Sequence, residues 1–286
     1  MNKEVLKTKL DEAGLARISD QLLSLAKMSI RFTTTKSTDK EIPIGVSKVG
    51  GCPDLPLSHS FPKWKDVPLA FLAQINLADI SSFSASSDLP SSGILSFFYN
   101  ATQEIWGFDP KDKGGWQVYY FADSKILRRI EFPNDLPNEG RYLPCLLSFF
   151  EDLTLPPWES IVIENLGLTR EEMDVYVDLP DNIFSNDSDL INRILGHPEQ
   201  IQGDMQIECQ MVSNGLYYGD GKLHEHPRYE ELKPGSVDWE LLLQLDSEED
   251  NAQMIWGDVG RVYFWIHKRS LANREFDKAW FQLQCF

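Results

Sequence analysis

The fold is predicted from two similar stretches, LAFLAQINL at residues 69–77 and WELLLQLDS at residues 239–247. In both segments large apolar side chains recur at every second position, which is the period of a β-strand. Both carry a glutamine that is followed two residues later by Asn or Asp. Both also lead through a polar loop into an aromatic strand that begins with glycine, at Gly93 and Gly260. The match predicts similar β units in the two halves of the chain.

The distance between the matching segments favours a duplication over a short repeat. Segments that start at residues 69 and 239 are much farther apart than the roughly 20–50 residues of a solenoid repeat. We therefore predict an α+β, mainly β fold of duplicated antiparallel β units, packed as a single roll-like structure about a pseudo-twofold axis. The β-rich domain would span residues 29–286, with halves at about 29–143 and 144–286.

Hydrophobic periodicity predicts the other elements. Residues 1–28 have helical spacing and form a separate N-terminal segment, which Gly14 divides into two helices. A few peripheral helices are predicted as well, at residues 157–168 and at residues 188–195, the latter capped by Asp187 or Ser188. Segments in which side-chain polarity alternates, bounded by turn residues, predict the strands. These are residues 30–35, 69–77, 94–100, 116–122, 142–151, 239–245, 262–267 and 279–285.

Several motifs together resemble the YwqG-like family of bacterial proteins. They are GGCPDLP at residues 50–56, LAFLAQINL at 69–77, LGHP at 195–198, QLD at 244–246 and MIWGDVGRVYF at 254–264. The resemblance extends from about residue 30 to residue 285. It implies a duplicated, roll-like, mainly β domain whose function is unknown. Some members are similar to proteins encoded beside secreted toxin systems, which implies an immunity or partner-binding role.

Composition indicates a soluble, cytoplasmic globular protein. The chain has 286 residues, of which 42% are hydrophobic and 25% charged. Its mean hydropathy is −0.31, and no apolar run is long enough to cross a bilayer. The first residues lack the apolar region of a secretory signal. The cysteines at positions 52, 145, 209 and 285 are too widely spaced for a zinc knuckle, and we expect reduced thiols.

Negative charge is concentrated in the second half of the chain. The net charge is −17, yet residues 1–143 contain 17 basic and 17 acidic residues, so the whole imbalance lies beyond them. Such a surface repels phosphate backbones and anionic lipids, which makes nucleic acid and membranes poor partners. A basic protein fits better, and the partner-binding candidates are Glu171, Glu172, Asp174 and Asp178. The alternative is a solvated acidic surface that only maintains solubility.

Polar residues at matching strand positions are the candidates for a ligand site. Gln74, Asn76, Gln244 and Asp246 share a strand face with large apolar residues, so their side chains must find partners. As structural residues, the glutamines would bond the backbone of the opposite half across the pseudo-axis. As functional residues, they would line a cleft with Trp256 and Asp258 of the WGDVG loop. The structural alternative for that loop is an Asx turn with Trp256 covering the core.

No motif of catalysis or metal binding is complete. The acidic loop at residues 246–250 departs from the EF-hand pattern, and His224 and His226 have no third ligand at a suitable spacing. Nucleophile elbows, phosphate loops and dinucleotide fingerprints do not occur. We therefore predict no metal and no cofactor, and a non-catalytic interaction protein that uses its acidic half. The alternative is an enzyme or small-ligand receptor with a cleft at the junction of the two repeats.

Overall fold

The computed structural model describes residues 2–179 and 191–286, which form a mainly β structure with several helices. Its strands are β1 (Lys27–Lys36), β2 (Lys48–Val49), β3 (Asp54–Pro56), β4 (Lys63–Trp64), β5 (Val67–Asn76), β6 (Ile94–Asn100), β7 (Trp116–Phe121), β8 (Leu127–Arg129), β9 (Cys145–Thr154), β10 (Asn192–Ile194), β11 (Trp239–Asp246), β12 (Arg261–His267) and β13 (Trp280–Gln284). Its helices are α1 (Lys3–Leu10), α2 (Ser19–Leu25), α3 (Leu77–Ile80), α4 (Ile161–Glu164), α5 (Arg170–Val177), α6 (Met205–Ser213), α7 (Tyr229–Leu232) and α8 (Lys268–Ala272). The predicted α+β, mainly β class is confirmed.

A long antiparallel pair, β1 with β9, lies at the centre of one large sheet. The two strands pair from Lys27 opposite Thr154 to Lys36 opposite Cys145. On one side of this pair the sheet continues through β2, β5, β6 and β7, and on the other side through β10, β11, β12 and β13. Short β4 pairs with the start of β5, while β3 and β8 form a separate small ribbon.

The sheet curves until its two ends meet. The β5–β6 pair has a bulge between Phe71 and Ala73, and the β11–β12 pair has one between Leu241 and Leu243. Bulges bend a strand and increase its twist. At the two ends, the Leu283 backbone N–H donates to the Trp106 carbonyl oxygen at 3.0 Å. The sheet is therefore nearly closed.

The main core fills the interior of this curved sheet with aromatic side chains from both halves. Phe97 on β6 meets Phe264 on β12 with ring centroids 5.1 Å apart, and Tyr99 stacks on Phe281 at 4.0 Å. These side chains are at most 1% exposed. The halves of the chain therefore share one core.

A second core joins the N-terminal helices to helices from the second half. Leu6 and Leu22 pack in one buried cluster with Ile163 of α4 and Tyr176 of α5. Gly14, with φ of +95°, lies between α1 and α2, as predicted. Since α2 ends at Leu25 and β1 begins at Lys27, the helical segment leads directly into the central strand.

Two helix predictions were wrong. In the predicted helix at residues 157–168 only Ile161–Glu164 is α-helical, and Gly167 soon afterwards has a left-handed φ of +60°. Within the predicted helix at residues 188–195, Asn192–Ile194 is strand β10, because it is hydrogen-bonded between β1 and β11. The predicted caps Asp187 and Ser188 lie outside the described residues. All the predicted strands are present, as β1, β5, β6, β7, β9, β11, β12 and β13.

In the described ranges, no helix is both long enough and apolar enough to cross a membrane.

Candidate functional site

The matching glutamines are both fully buried, and each holds a loop against its strand. The Gln74 amide accepts from the Asp54 backbone N–H at 3.1 Å and donates to the Val46 carbonyl oxygen at 2.8 Å. The Gln244 amide accepts from the Glu199 backbone N–H at 2.9 Å and donates to the Ile191 carbonyl oxygen at 2.6 Å. All these partners lie in the glutamine's own half. The expectation that the glutamines bond across the pseudo-axis was therefore wrong.

The loops held by the two glutamines have the same conformation at matching places. Gly50 and Gly51 have left-handed φ values of +62° and +68°, and Leu195 and Gly196 have +60° and +76°. Glycine adopts this conformation without strain, whereas Leu195 does not. A buried cation precedes each pair, and each donates to the carbonyl oxygen four residues later, Lys48 to Cys52 and Arg193 to His197.

Asn76 and Asp246 also have structural partners. The Asn76 side chain accepts from the Ala78 backbone N–H at 3.1 Å and so caps α3. The Asp246 carboxylate accepts from the Ile191 backbone N–H at 3.0 Å and pairs with Arg261 at 3.1 Å. Both side chains therefore hold the ends of β5 and β11 in place.

Trp256 of the WGDVG loop covers the core, as the structural alternative expects, but the Gly260 backbone N–H donates to the Trp256 carbonyl oxygen rather than to the Asp258 side chain. Trp256 is 0% exposed, and its indole N–H donates to the Asp246 carbonyl oxygen at 3.1 Å. Asp258 is exposed. A side chain at Gly260 would lie 2.0 Å from the Gln284 carbonyl oxygen, so the loop passes tightly over β13. The predicted cleft formed by Gln74, Gln244, Trp256 and Asp258 does not exist in the described part of the chain, because the first three of these side chains have no solvent access.

A buried ion network surrounds Lys48 in the first half. Lys48 is 0% exposed, and burial is the main cause that lowers its pKa. The Arg129 guanidinium donates to Asp54 at 2.6 Å and to Asp39 at 3.0 Å, and Asp39 also pairs with Lys48 at 3.3 Å. Burial raises the pKa of the nearby Cys52 thiol to about 11. At neutral pH this thiol is protonated and therefore a weak nucleophile.

A cleft of about 400 Å³ lies where the two halves meet, and we call it the junction cleft. Its floor is formed by the first residues of β7, β11 and β13, which are Trp116, Trp239 and Trp280. These indoles are only 4–5% exposed. Its rim is polar and comes from both halves: Lys113, Gln117, Ser213, His267, Ser270, Asp277 and Lys278.

Hydrogen bonds fix the aromatic groups of the junction cleft. The Trp116 indole donates to the Ala279 carbonyl oxygen and the Trp280 indole donates to the Gly107 carbonyl oxygen, both at 2.8 Å. The His267 ring meets Trp239 edge to face at 5.8 Å, and its Nδ1 accepts from the Arg269 backbone N–H at 3.2 Å. Because Nδ1 is an acceptor, Nε2 carries the proton of the neutral ring. The cleft is therefore preformed.

No sequence motif predicted this cleft. The detectable signal was the position of Trp116, Trp239 and Trp280, since each of them is the first residue of its strand. None of Gln74, Asn76, Gln244, Asp246, Trp256 and Asp258 lines the junction cleft, as far as the described residues define it.

The predicted partner-binding residues lie on α5 and at its end. Glu171, Asp174 and Asp178 are exposed. Glu172 instead pairs with Arg17, which donates to it from Nε at 2.7 Å, and it also forms a capping box with Thr169. Chiefly through the Arg17 hydrogen bond, the pKa of Glu172 is lowered to about 2. Glu172 therefore attaches α5 to the N-terminal segment.

Metal-ligating side chains are dispersed. Within residues 2–179 and 191–286, no group of three or more His, Cys, Asp or Glu side chains is placed to hold a metal ion. His224 lies in a 3₁₀ turn, and its exposed ring is 3.9 Å from Glu225. The cysteines are all free and buried.

Most of the chain matches a known family. The family model of DUF1963, a domain of unknown function, matches residues 47–285. No curated protein matches the chain.

Proposed function

The chain belongs to the DUF1963 family, and we propose that it is a binding protein whose small ligand lies in the junction cleft. The observation that carries this proposal is the preformed cleft of about 400 Å³ with Trp116, Trp239 and Trp280 on its floor. Ligand sites are typically concave and mostly apolar, with a few polar groups that orient the ligand. Sites of this kind also occur preferentially where structural units meet.

The lining of the junction cleft suggests the class of ligand. Indole faces favour a flat apolar surface, such as an aromatic ring or the C–H face of a sugar. Around them, Gln117, His267 and Asp277 offer hydrogen bonds, while Lys278 is paired with Glu275 at 2.8 Å. We propose an uncharged, polar ligand that carries one flat apolar face.

Ligand-observed NMR with monosaccharides and small aromatic amides tests this proposal. Ser213 is exposed on the rim, so Ser213→Trp would fill the cleft without disturbing the core. Ser82→Trp is the matched control, because Ser82 is an exposed serine that does not line the junction cleft. We expect compounds that bind the wild type and Ser82→Trp but not Ser213→Trp. Equal binding to all three proteins, or no binding by any compound, would contradict the proposal.

A second candidate function is docking of a basic protein on α5. The supporting observation is that exposed Glu171 and Asp174 lie on a helix held by the Glu172–Arg17 pair and by buried Tyr176. A rigid acidic face accelerates the association of a basic partner. An immunity role would follow if that partner were a toxin, as the YwqG-like resemblance implies.

Neutralising three exposed charges tests the docking proposal. The test variant combines Glu171→Gln, Asp174→Asn and Asp178→Asn, and the control combines Glu230→Gln, Glu231→Gln and Glu249→Gln. Because exposed charges are screened within about 10 Å at 0.1 M salt, a true partner should be captured at low salt and lost at high salt. It should also associate more slowly with the test variant than with the control. If partners are captured equally at low and high salt, and equally by the test variant and the control, docking on α5 is refuted.

We also propose that the two halves arose by duplication about a pseudo-twofold axis, within a YwqG-like branch of the family. The strand order supports this, since β2, β5, β6, β7 on one side correspond to β10, β11, β12, β13 on the other. The matching bulges and the matching bonds of Gln74 and Gln244 support it too. A cytoplasmic location remains a prediction.

A further inference from the structure

A smaller cleft in the second half, which we call the Arg193 cleft, is separate from the junction cleft. Its volume is about 100 Å³, and it lies between the end of β9, the end of α5 and residues 198–200. One wall is apolar and includes Leu155, Trp158 and Leu179, while Asp152, Arg193 and Glu199 form the polar side. Trp158 is 47% exposed, which is unusual for so large an apolar side chain.

The Arg193 guanidinium is buried but incompletely bonded. The residue is 2% exposed, and its Nη1 donates to the His197 carbonyl oxygen at 2.7 Å. Its Nη2 reaches Glu199 at 3.4 Å, whereas Nε–H has no acceptor among the described residues. A buried donor without an acceptor is costly, and such groups are rare in folded proteins. Arg193 lines the cleft, and its unused donor is buried just behind the surface of the cleft.

The unused donor is suited to a carboxylate. Nε and Nη2 form one edge of the guanidinium plane, and this edge binds both oxygens of a carboxylate in parallel hydrogen bonds. Glu199 approaches only Nη2, at 3.4 Å, and its side chain is 35% exposed. A carboxylate that entered the cleft could take this edge while Glu199 turned toward solvent.

The lining of the cleft favours a ligand with both charges over a simple anion. Asp152 and Glu199 line the cleft and act electrostatically on Arg193. Arg31 and Arg261 act on it with the opposite sign, from outside the lining. A ligand with only a negative charge would be repelled by the two carboxylates. A ligand that also carries an ammonium group would instead pair with Asp152. The apolar wall would then hold an apolar side chain.

We propose that the Arg193 cleft binds a free α-amino acid with an apolar side chain. The ligand carboxylate bonds to the Nε and Nη2 edge of Arg193 in place of Glu199, and its ammonium group faces Asp152. Its side chain packs against Trp158. A volume of about 100 Å³ is too small for a longer peptide.

Calorimetric titration of the full chain with L-leucine tests this proposal, and L-leucinamide and N-acetyl-L-leucine serve as probes that lack one charged group. We expect L-leucine to bind and each probe to bind at least about tenfold more weakly, as for the loss of one charge-assisted bond. Binding of N-acetyl-L-leucine as tight as that of L-leucine would show a simple carboxylate site and refute the zwitterion. Binding of L-leucinamide as tight as that of L-leucine would refute the role of Arg193.

Variants assign the binding to this cleft. Arg193→Lys keeps the charge but removes the two-donor edge, and it should abolish leucine binding. Because Arg193 is buried and its variant could misfold, Trp158→Ala is the second test, and it should weaken leucine binding at least about tenfold. Leu57→Ala, at a residue 76% exposed elsewhere, is the matched control. Ser213→Trp should leave leucine binding unchanged, so this test and that of the junction cleft can fail independently. Absence of leucine binding, or full binding by Trp158→Ala, would overturn the proposal.

Discussion

The indole rings of Trp116 and Trp280 meet edge to face with centroids 4.9 Å apart, at the place where the two ends of the sheet come together. Trp116 begins β7, at one end of the sheet, and Trp280 begins β13, at the other. Each indole N–H donates to a backbone carbonyl oxygen outside its own strand, Trp116 to Ala279 and Trp280 to Gly107. This contact both closes the curved sheet and forms the floor of the junction cleft.

Removing one of these rings should destabilise the whole protein. Trp280→Ala would leave a cavity at the closure and take away an indole hydrogen bond. We expect the free energy of unfolding to fall by about 3–5 kcal/mol. Urea denaturation measures this change. Trp158→Ala, at a tryptophan that is 47% exposed, is the control and should cost less than about 1 kcal/mol. Equal losses in the two variants would mean that Trp280 does not stabilise the closure.

The matching glutamines should be equally important for stability. Gln74→Leu and Gln244→Leu each leave a backbone N–H and a carbonyl oxygen without their partner inside the fold, at Asp54 and Val46 or at Glu199 and Ile191. We expect each substitution to lower the free energy of unfolding by about 2 kcal/mol or more. Gln21→Leu, at an exposed glutamine, is the control and should lower the free energy of unfolding by less than about 0.5 kcal/mol. A large effect at one glutamine and none at the other would argue against equivalent roles.

The Glu172–Arg17 pair should stabilise the fold except in strong acid. The hydrogen bond from Arg17 is the main cause that lowers the pKa of Glu172 to about 2 from an ordinary value of 4.5. Since the pKa is lower in the folded state than in the unfolded state, the pair contributes fully to the free energy of unfolding above about pH 4.5. This contribution is lost as the pH falls toward 2. Glu172→Gln should therefore have a lower urea midpoint than the wild type at pH 7, with a difference that shrinks below pH 4.5. Glu171→Gln, at the exposed neighbour, should show no such trend.

Glu208 on α6 should have the opposite dependence on pH. Burial raises its pKa to about 7 from 4.5. Since the folded pKa is raised, the folded state binds the proton more tightly, and stability falls as the pH rises from about 4.5 to 7. Glu208→Gln should therefore be more stable than the wild type at pH 8, by about 2–3 kcal/mol. At pH 4 the two proteins should be alike. Thermal unfolding at both pH values measures this, and a constant difference between them would contradict it.

Glycine at position 107 should be irreplaceable for steric reasons. It has a left-handed φ of +93°, and a Cβ there would lie 1.9 Å from the Phe281 carbonyl oxygen on β13. Gly203 is also left-handed, with φ of +55°, but a Cβ there meets nothing within 4 Å. Gly203→Ala should therefore lower the free energy of unfolding by only about 1 kcal/mol, which is the strain of a left-handed backbone at a residue with a side chain. Gly107→Ala should lower the free energy of unfolding clearly more, as thermal unfolding would measure. Similar losses of stability in the two variants would refute the close approach of Gly107 to Phe281.

The longer strands and the buried glutamines could be predicted because burial leaves a local signal. Apolar and aromatic residues between turn residues predicted β6 at Ile94–Asn100 with its observed bounds, and all of its residues are buried. Strands of two or three residues, such as β2 and β10, are too short to show a period, and residues 192–194 were mistaken for helix. The α4 region was predicted too long, because apolar spacing does not show where a left-handed glycine ends a helix.

The order of neighbouring side chains was enough to predict the mainly β class, the strand phase of the two halves and the burial of Gln74 and Gln244. It could not predict that Arg17 pairs with Glu172, that Trp116 meets Trp280 or that Arg193 lines a cleft, which depend on the three-dimensional packing. These groups are brought together by the curvature of the sheet and by the packing of α5 on the N-terminal helices. The first two contacts join residues more than a hundred positions apart in the chain, and no local pattern of polarity records which distant side chain will be the partner.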